Sequence, residues 1–250
     1  MSEAFANNIP LDDVRTLIVH AHALIFDVDG TLAETEEAHR KAFNTAFAEA
    51  GLDWCWDRAL YKELLRVTGG KERIRAFDAS RNGASPRLSD LEIAELHQAK
   101  TKLYAALVTN GGCSLRPGIR ALLDAARKRA QPLAIATTTS RDNIDALLTV
   151  SLGKDWAQWF MAIVAGDEVR NKKPAPDVYL KVLSQLDLPG SQCLAIEDSG
   201  NGLASASAAG IPVLISRSAY FSDDDFSGAA FTIDDFTHII SDMPESNRDM

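Results

Sequence analysis

The chain has 250 residues, 46% of them apolar, and a formal net charge of −9 at pH 7. That length fits one large domain or a core with a smaller insertion, and the apolar share supplies a sizeable core. The acidic balance argues against the basic face that nucleic acid or an anionic membrane requires, yet it leaves room for a local cationic pocket around a phosphorylated ligand.

The N-terminal stretch MSEAFANNIPLDDVRTLIVHAHALIF has no basic leader, and His20 and His22 interrupt its apolar run. It reads neither as a signal peptide nor as a membrane span, which needs about 20 apolar residues. Residues 1–20 read as an extension without a legible purpose. A first strand is predicted at Ala23–Phe26, followed by four helical patterns at Glu36–Ala50, Trp56–Val67, Lys71–Ala79 and Leu88–Val108. From Ile119 the pattern alternates. Helices at Ile119–Arg129, Asn143–Val150, Pro176–Leu186 and Asn201–Ala208 separate strands at Leu133–Thr137, Met161–Ala165, Cys193–Glu197 and Pro212–Ile215. Such alternation implies a parallel sheet covered on both faces. The expected fold is therefore α/β, a Rossmann-like doubly wound parallel sheet over residues 21–34 and 115–250, with a helical domain inserted at 35–114. Cys55, Cys113 and Cys193 stand far apart, which predicts a reducing, cytoplasmic setting without disulfides.

The first strand ends in Asp27-Val28-Asp29-Gly30. In extended chain, residues two apart point the same way, so Asp27 and Asp29 share one space at the strand's C-terminal end, where open parallel sheets bind ligands. A simple turn with two solvated acids is the ordinary alternative. The strand at Cys193 repeats the design with Glu197 and Asp198, which also suit an acidic helix N-terminus. Four carboxylates at one sheet edge would repel by roughly 4 kcal/mol per close pair at intermediate dielectric. A hard cation such as Mg²⁺ relieves this and is commonly shared with a substrate phosphate. Thr137, Thr138 and Thr139 end another strand before a helix, offering hydroxyls and N–H groups to an anion, or a plain N-cap. Lys172 and Lys173 precede Pro174, either as phosphate-binding charge or as a surface pair.

The segments DVDGT, TTTS, KKPAP and EDSGNG, each at a strand end and in this order, resemble the four motifs of the haloacid dehalogenase (HAD) superfamily of phosphatases and phosphomutases. The inserted helices resemble that superfamily's C1 cap. Within them ETEEAHRKAFNTAF, WCWDRALYKELL and TGGKERI resemble the CbbY-like branch. The resemblance implies a Mg²⁺-dependent phosphatase acting on a phosphorylated sugar, xylulose 1,5-bisphosphate above all, through an aspartyl-phosphate, in Calvin-cycle carbohydrate metabolism. It makes Asp27 the nucleophile and Asp29 the general acid/base. Asp27, Asp29 (through its backbone carbonyl), Glu197 and Asp198 would hold Mg²⁺, and Thr137, Thr138 and Lys173 the transferring phosphoryl group. Glu36, His39, Tyr61, Gly69, Gly70, Lys71, Glu72 and Arg73 correspond to substrate contacts.

Asp29 is expected to be the protonated member of the aspartate pair, because a neighbouring carboxylate raises the pKa of one of two. Lys71 and Arg73 would hold a second phosphate on the substrate; a glycine turn followed by a helix with a charged outer face is the alternative. A sugar phosphomutase and a non-catalytic phosphosugar-binding regulator are the rival functions. The expected partner is a small phosphorylated sugar, with neither nucleic acid nor membrane. Nothing fixes the oligomeric state, and a monomer is the expectation.

Overall fold

Six short runs of apolar residues form one parallel sheet in a computed structural model that describes residues 11–81 and 87–240. They are β1 (Ala23–Phe26), β2 (Leu133–Ala136), β3 (Ala162–Val164), β4 (Cys193–Glu197), β5 (Val213–Ser216) and β6 (Phe231–Ile233), in the order β3-β2-β1-β4-β5-β6. Alternation along each strand feeds two cores. Leu24, Phe26, Ile135 and Ile196 join one apolar cluster, while Ala23, Ile25, Ala134 and Ala195 join another on the opposite face. Burial on both faces is why these strands read as unbroken apolar runs.

The first face is covered by α1 (Leu11–His20), α6 (Ile119–Lys128) and α7 (Arg141–Leu152), the second by α8 (Asp177–Leu186) and α9 (Gly200–Ala208). Of the span read as an extension, residues 1–10 lie outside the described residues. Leu11–His20 is a helix with Val14 and Ile18 fully buried, and Arg15 bonds to the carbonyls of His238 and Ile239 in α10 (Thr237–Ile240). Residues 82–86 and 241–250, assigned to the insertion and the core, also lie outside the described residues.

Between β1 and β2 come α2 (Glu36–Glu49), α3 (Arg58–Leu64), α4 (Gly70–Arg81) and α5 (Asp90–Leu107). They enclose a third cluster around Phe43, Phe47, Trp54, Trp56, Tyr61 and Phe77, so both tryptophans are packing residues. α3 starts later than the periodicity suggests, because Asp57 caps it by accepting from the Leu60 N–H at 2.8 Å. The Ser89–Glu92 capping box likewise fixes the start of α5. Tyr220, from the segment after β5, inserts into this third cluster and ties it to the sheet. Among the described residues no helix is long and apolar enough to cross a membrane.

Candidate active site

Register brings the acids together. Phe26 pairs with Ile196 and Ile135, so Asp27 and Glu197, the next residues, and Thr137, two beyond Ile135, emerge at the same C-terminal edge of the sheet. Lys173, buried, donates to Asp27 Oδ1 at 2.7 Å and to Glu197 Oε1 at 2.6 Å. Tyr179 of α8 donates to the same Glu197 oxygen at 2.5 Å. Asp27, Glu197 and Asp198 bring carboxylate oxygens within 4.8 Å of one another, and Asp198 Oδ2 is buried without a hydrogen-bond partner. A set of hard oxygen donors with one orphaned atom fits a divalent cation such as Mg²⁺. Gly30 permits the close packing, since its φ is +78° and a Cβ there would lie 1.9 Å from Asp198 Oδ2.

Asp29 stands apart from this cluster. Its carboxylate accepts from Thr35 Oγ1 at 2.5 Å and from His39 Nε2 at 3.0 Å. Lys100 Nζ lies 2.7 Å from His39 Nδ1. An ammonium only donates and a carboxylate only accepts, which assigns the His39 proton to Nε2. The His39 ring also stacks on Tyr104, with centroids 4.0 Å apart.

The protonation pattern reverses the expectation for the two aspartates. Burial pushes Asp27 up to about 7; Lys173 opposes this, and the charges of Glu197 and Asp29 add to it. Burial would raise Asp29 too, but the His39 ring, the hydrogen bonds from His39 and Thr35, and Lys100 outweigh it and hold the carboxyl at about 2. Like-charge repulsion alone does not decide which acid keeps the proton; the donors around each do. Asp198 is raised well above its ordinary value by burial and by Asp27 and Glu197. Lys173 is raised because its two carboxylate partners outweigh burial. Burial lowers Lys100 to about 7.

A cavity of about 240 Å³ joins these groups to the inserted helices. Asp27, Asp29, Asp198, Lys173 and Thr137–Ser140 line its sheet side; Glu36, His39, Lys100 and Gly69–Arg73 line its helical side. Asn143 donates to Thr139 Oγ1 at 2.9 Å, and the Thr139 N–H donates to Thr137 Oγ1 at 3.3 Å, ordering the threonine loop. Thr138 lines the cavity beside them. Thr68 Oγ1 donates to the Lys173 carbonyl at 2.5 Å, joining the loop before α4 to the loop of the buried lysine.

The substrate contacts expected on the helical side separate into groups. Tyr61 is fully buried and does not line the cavity; it donates to Glu36 Oε2 at 2.8 Å and so orients Glu36 from behind. Burial pushes Glu36 up to about 7, against the pull of Arg73. Arg73 is buried, and its guanidinium donates to the Leu64 carbonyl at 3.1 Å and to the Tyr61 hydroxyl at 3.3 Å. Lys71 reaches toward solvent and pairs with Asp167 at 3.3 Å. Arg75, outside that set, pairs with Asp90 at 2.7 Å. The sequence reading missed Lys100, Tyr179 and Asp167. A lysine in a helical run reads as solvated, and only the packing of α5 against α2 turns Lys100 inward.

The model of a family described as a haloacid dehalogenase-like hydrolase matches residues 21–210. Protein CbbY of Rhodobacter capsulatus is 52% identical over 226 residues, covering 89% of this chain and 98% of that protein. The crystal structure of CbbY from Rhodobacter sphaeroides in complex with phosphate superposes with a TM-score of 0.82 at 46% identity, covering 88% of this chain and 96% of that one. A mutant of that CbbY, in complex with xylulose-(1,5)bisphosphate, gives a TM-score of 0.82 at 45% identity, covering 87% of this chain and 96% of that one.

Proposed function

The chain belongs to the haloacid dehalogenase-like hydrolases, and from that premise we propose that it removes one phosphate from a pentulose bisphosphate, xylulose 1,5-bisphosphate before others. Its enzymatic class is that of a phosphatase, a phosphoric monoester hydrolase. The observation that carries the finer reading is the joining of Asp27 and its partner Lys173 to Lys71 and the glycine turn Gly69–Gly70 in one cavity. The bisphosphate bound by the CbbY mutant supports the choice of substrate.

In this reading α2–α5 act as a cap over the sheet edge. Asp27, Glu197 and Asp198 would hold Mg²⁺ with the Asp29 backbone carbonyl. When bound, the ion would neutralise the carboxylates and the phosphoryl oxygens and keep Asp27 ionised. Asp27 attacks phosphorus, and the bond from phosphorus to the sugar oxygen breaks as an aspartyl-phosphate forms. Lys173, Thr137 and the Thr138 N–H offset the charge on the transferring group. Entry of a phosphate dianion beside Asp29 raises its proton affinity, so the acid that is ionised in the free site takes up the proton it then gives to the departing sugar oxygen. Asp29 next removes a proton from water, which attacks phosphorus and releases Asp27 and inorganic phosphate. Glu36, held by Tyr61, faces the sugar.

Phosphate release measured across xylulose 1,5-bisphosphate, pentose and hexose monophosphates, and small phosphate esters tests this reading. The bisphosphate should give the highest kcat/KM. A flat profile, or a preference for small esters, would overturn the choice of substrate.

A further inference from the structure

Three successive acids, Asp223, Asp224 and Asp225, stand in the segment between β5 and β6, and each is put to a different use. Asp223 pairs with Lys62 of α3 at 2.5 Å in solvent, and Asp225 accepts from the Ser227 N–H at 2.9 Å within its own turn. Asp224, half-buried, reaches the start of α9, where its Oδ2 accepts from the Gly200 N–H at 2.8 Å. That N–H is one of the four that a helix leaves unsatisfied at its start, and the positive end of the helix favours an acid beside it. Ser199 serves a second, accepting from the Gly202 N–H at 3.1 Å. The Asp224 contact falls two residues beyond Asp198. The peptide unit joining Ser199 to Gly200 is planar, so a hold on its N–H orients the chain directly after the acid whose Oδ2 has no partner. The segment that carries Asp224 is held in turn by the inserted helices. Tyr220 is buried, meets the Tyr61 ring edge-on with centroids 5.8 Å apart, and donates its hydroxyl to Glu37 Oε2 of α2 at 2.8 Å. The Asp224 N–H donates to the Phe221 carbonyl at 3.0 Å, which closes the turn between Tyr220 and the acid.

We propose that Asp224 is a positioning residue for the Mg²⁺ site: it holds the turn from Asp198 to Gly200 through the Gly200 N–H, and Tyr220 holds Asp224 in place from the inserted domain. The assignment rests on the Mg²⁺ reading above. Carboxylates that bind a metal are themselves oriented by contacts outside the ligand set, and losing one such contact costs about 10- to 100-fold in affinity. An acid whose purpose was only to cap α9 would act on stability and leave the affinity for the ion alone.

The test compares wild type with Asp224→Ala, Asp224→Asn, Asp225→Ala, Tyr220→Leu and the Tyr220→Leu/Asp224→Ala double variant. Each is melted in chelator and across a series of Mg²⁺ concentrations, and the Kd for Mg²⁺ is read from the rise in melting temperature. Asp224→Ala should raise that Kd about 10- to 100-fold. Asp224→Asn, which keeps an acceptor without the charge, should fall between the alanine variant and wild type, and it carries the comparison if the alanine variant fails to fold. Asp225→Ala, in the same segment, should bind Mg²⁺ as wild type does. Tyr220→Leu should also raise the Kd and add almost nothing to Asp224→Ala. A lower melting temperature in chelator with an unchanged Kd for Asp224→Ala would mean a helix cap alone and would overturn the proposal. An equal rise for Asp225→Ala, or additive effects of the Tyr220 and Asp224 substitutions, would overturn it too. If wild type gains no stability from Mg²⁺, the metal reading falls and this inference with it. If wild type gains it and the variants do not discriminate, only the inference falls.

Discussion

His39 Nε2 stands 3.0 Å from Asp29 Oδ1, and Lys100 approaches the other ring nitrogen at 2.7 Å, so a lysine of α5 is tied through one imidazole to an aspartate at the end of β1. The pair that repulsion would have pushed apart is separated instead by its donors. Asp27 answers to Lys173, and Asp29 to His39 and Thr35.

Lys100→Met should therefore lower kcat about 10- to 100-fold, the low end of what acid–base groups contribute, because Lys100 acts one step from the proton. KM should move little. The acidic limb of the pH–rate profile should shift upward, since Asp29 loses a charge that stabilises its carboxylate. A loss confined to KM would argue against the chain of contacts.

The same variant has a signature in stability. Lys100 titrates at about 7 in the fold, lowered by burial from its ordinary 10.5. The unfolded chain then binds more protons than the native one across that window, so wild-type stability rises with pH between about 7 and 10.5, and the full penalty applies below 7. Lys100→Met lacks this dependence. Its melting temperature relative to wild type should be most favourable below pH 7 and should fall back as pH approaches 10. A difference constant over that range would contradict the burial of a titrating ammonium.

Asp27→Asn should abolish turnover and leave no phosphorylated protein. Asp29→Asn should lose about 10²- to 10⁴-fold through the missing acid and base while still binding Mg²⁺. Thermal melts in Mg²⁺ supply a readout independent of activity. At 100-fold the dissociation constant, an ion bound only by the native state stabilises it by about 2.7 kcal/mol. Wild type and Asp29→Asn should show that rise, and Asp198→Asn should not, because Asp198 Oδ2 is the orphaned donor. Chelator should remove activity, and Ca²⁺ should restore it poorly, since it prefers more ligands at longer distances.

Lys71 and Arg73 should behave differently from one another. Lys71 is partly exposed and, among the described residues, pairs with Asp167, so Lys71→Ala should raise KM for the bisphosphate about 10-fold and leave the melting temperature close to wild type. Arg73 is buried against Leu64 and Tyr61, and Tyr61 holds Glu36. Arg73→Ala should lower both the melting temperature and kcat/KM, costing about 2–3 kcal/mol of stability through the unpaired groups it leaves. Equal melting temperatures for the two variants would mean that Arg73 carries no structural load.

Much of this was legible in the chain. β1 and β4 were found to the residue, because strands buried on both faces read as continuous apolar runs that stop at a charge. β6 was not, since Phe231–Ile233 is three residues long with one fully buried side chain. The helix at Leu11–His20 was hidden in what read as an extension, although Val14 and Ile18 are spaced for one buried face. The strand-end acids could be placed at one sheet edge from alternation and from their position at the C-terminal ends of parallel strands. The donors that hold Asp29 ionised and the inward Lys100 could not, for they depend on how α2 and α5 pack, and a polar residue in a helix carries no sign of which way the helix will turn.

The most direct measurement is phosphorus NMR of xylulose 1,5-bisphosphate incubated with the protein and Mg²⁺. The account predicts one equivalent of inorganic phosphate for each bisphosphate consumed, a single pentulose monophosphate left behind, and no signal change with Asp27→Asn. Conversion of one sugar phosphate isomer into another without free phosphate, or an unchanged spectrum with wild type, would contradict it.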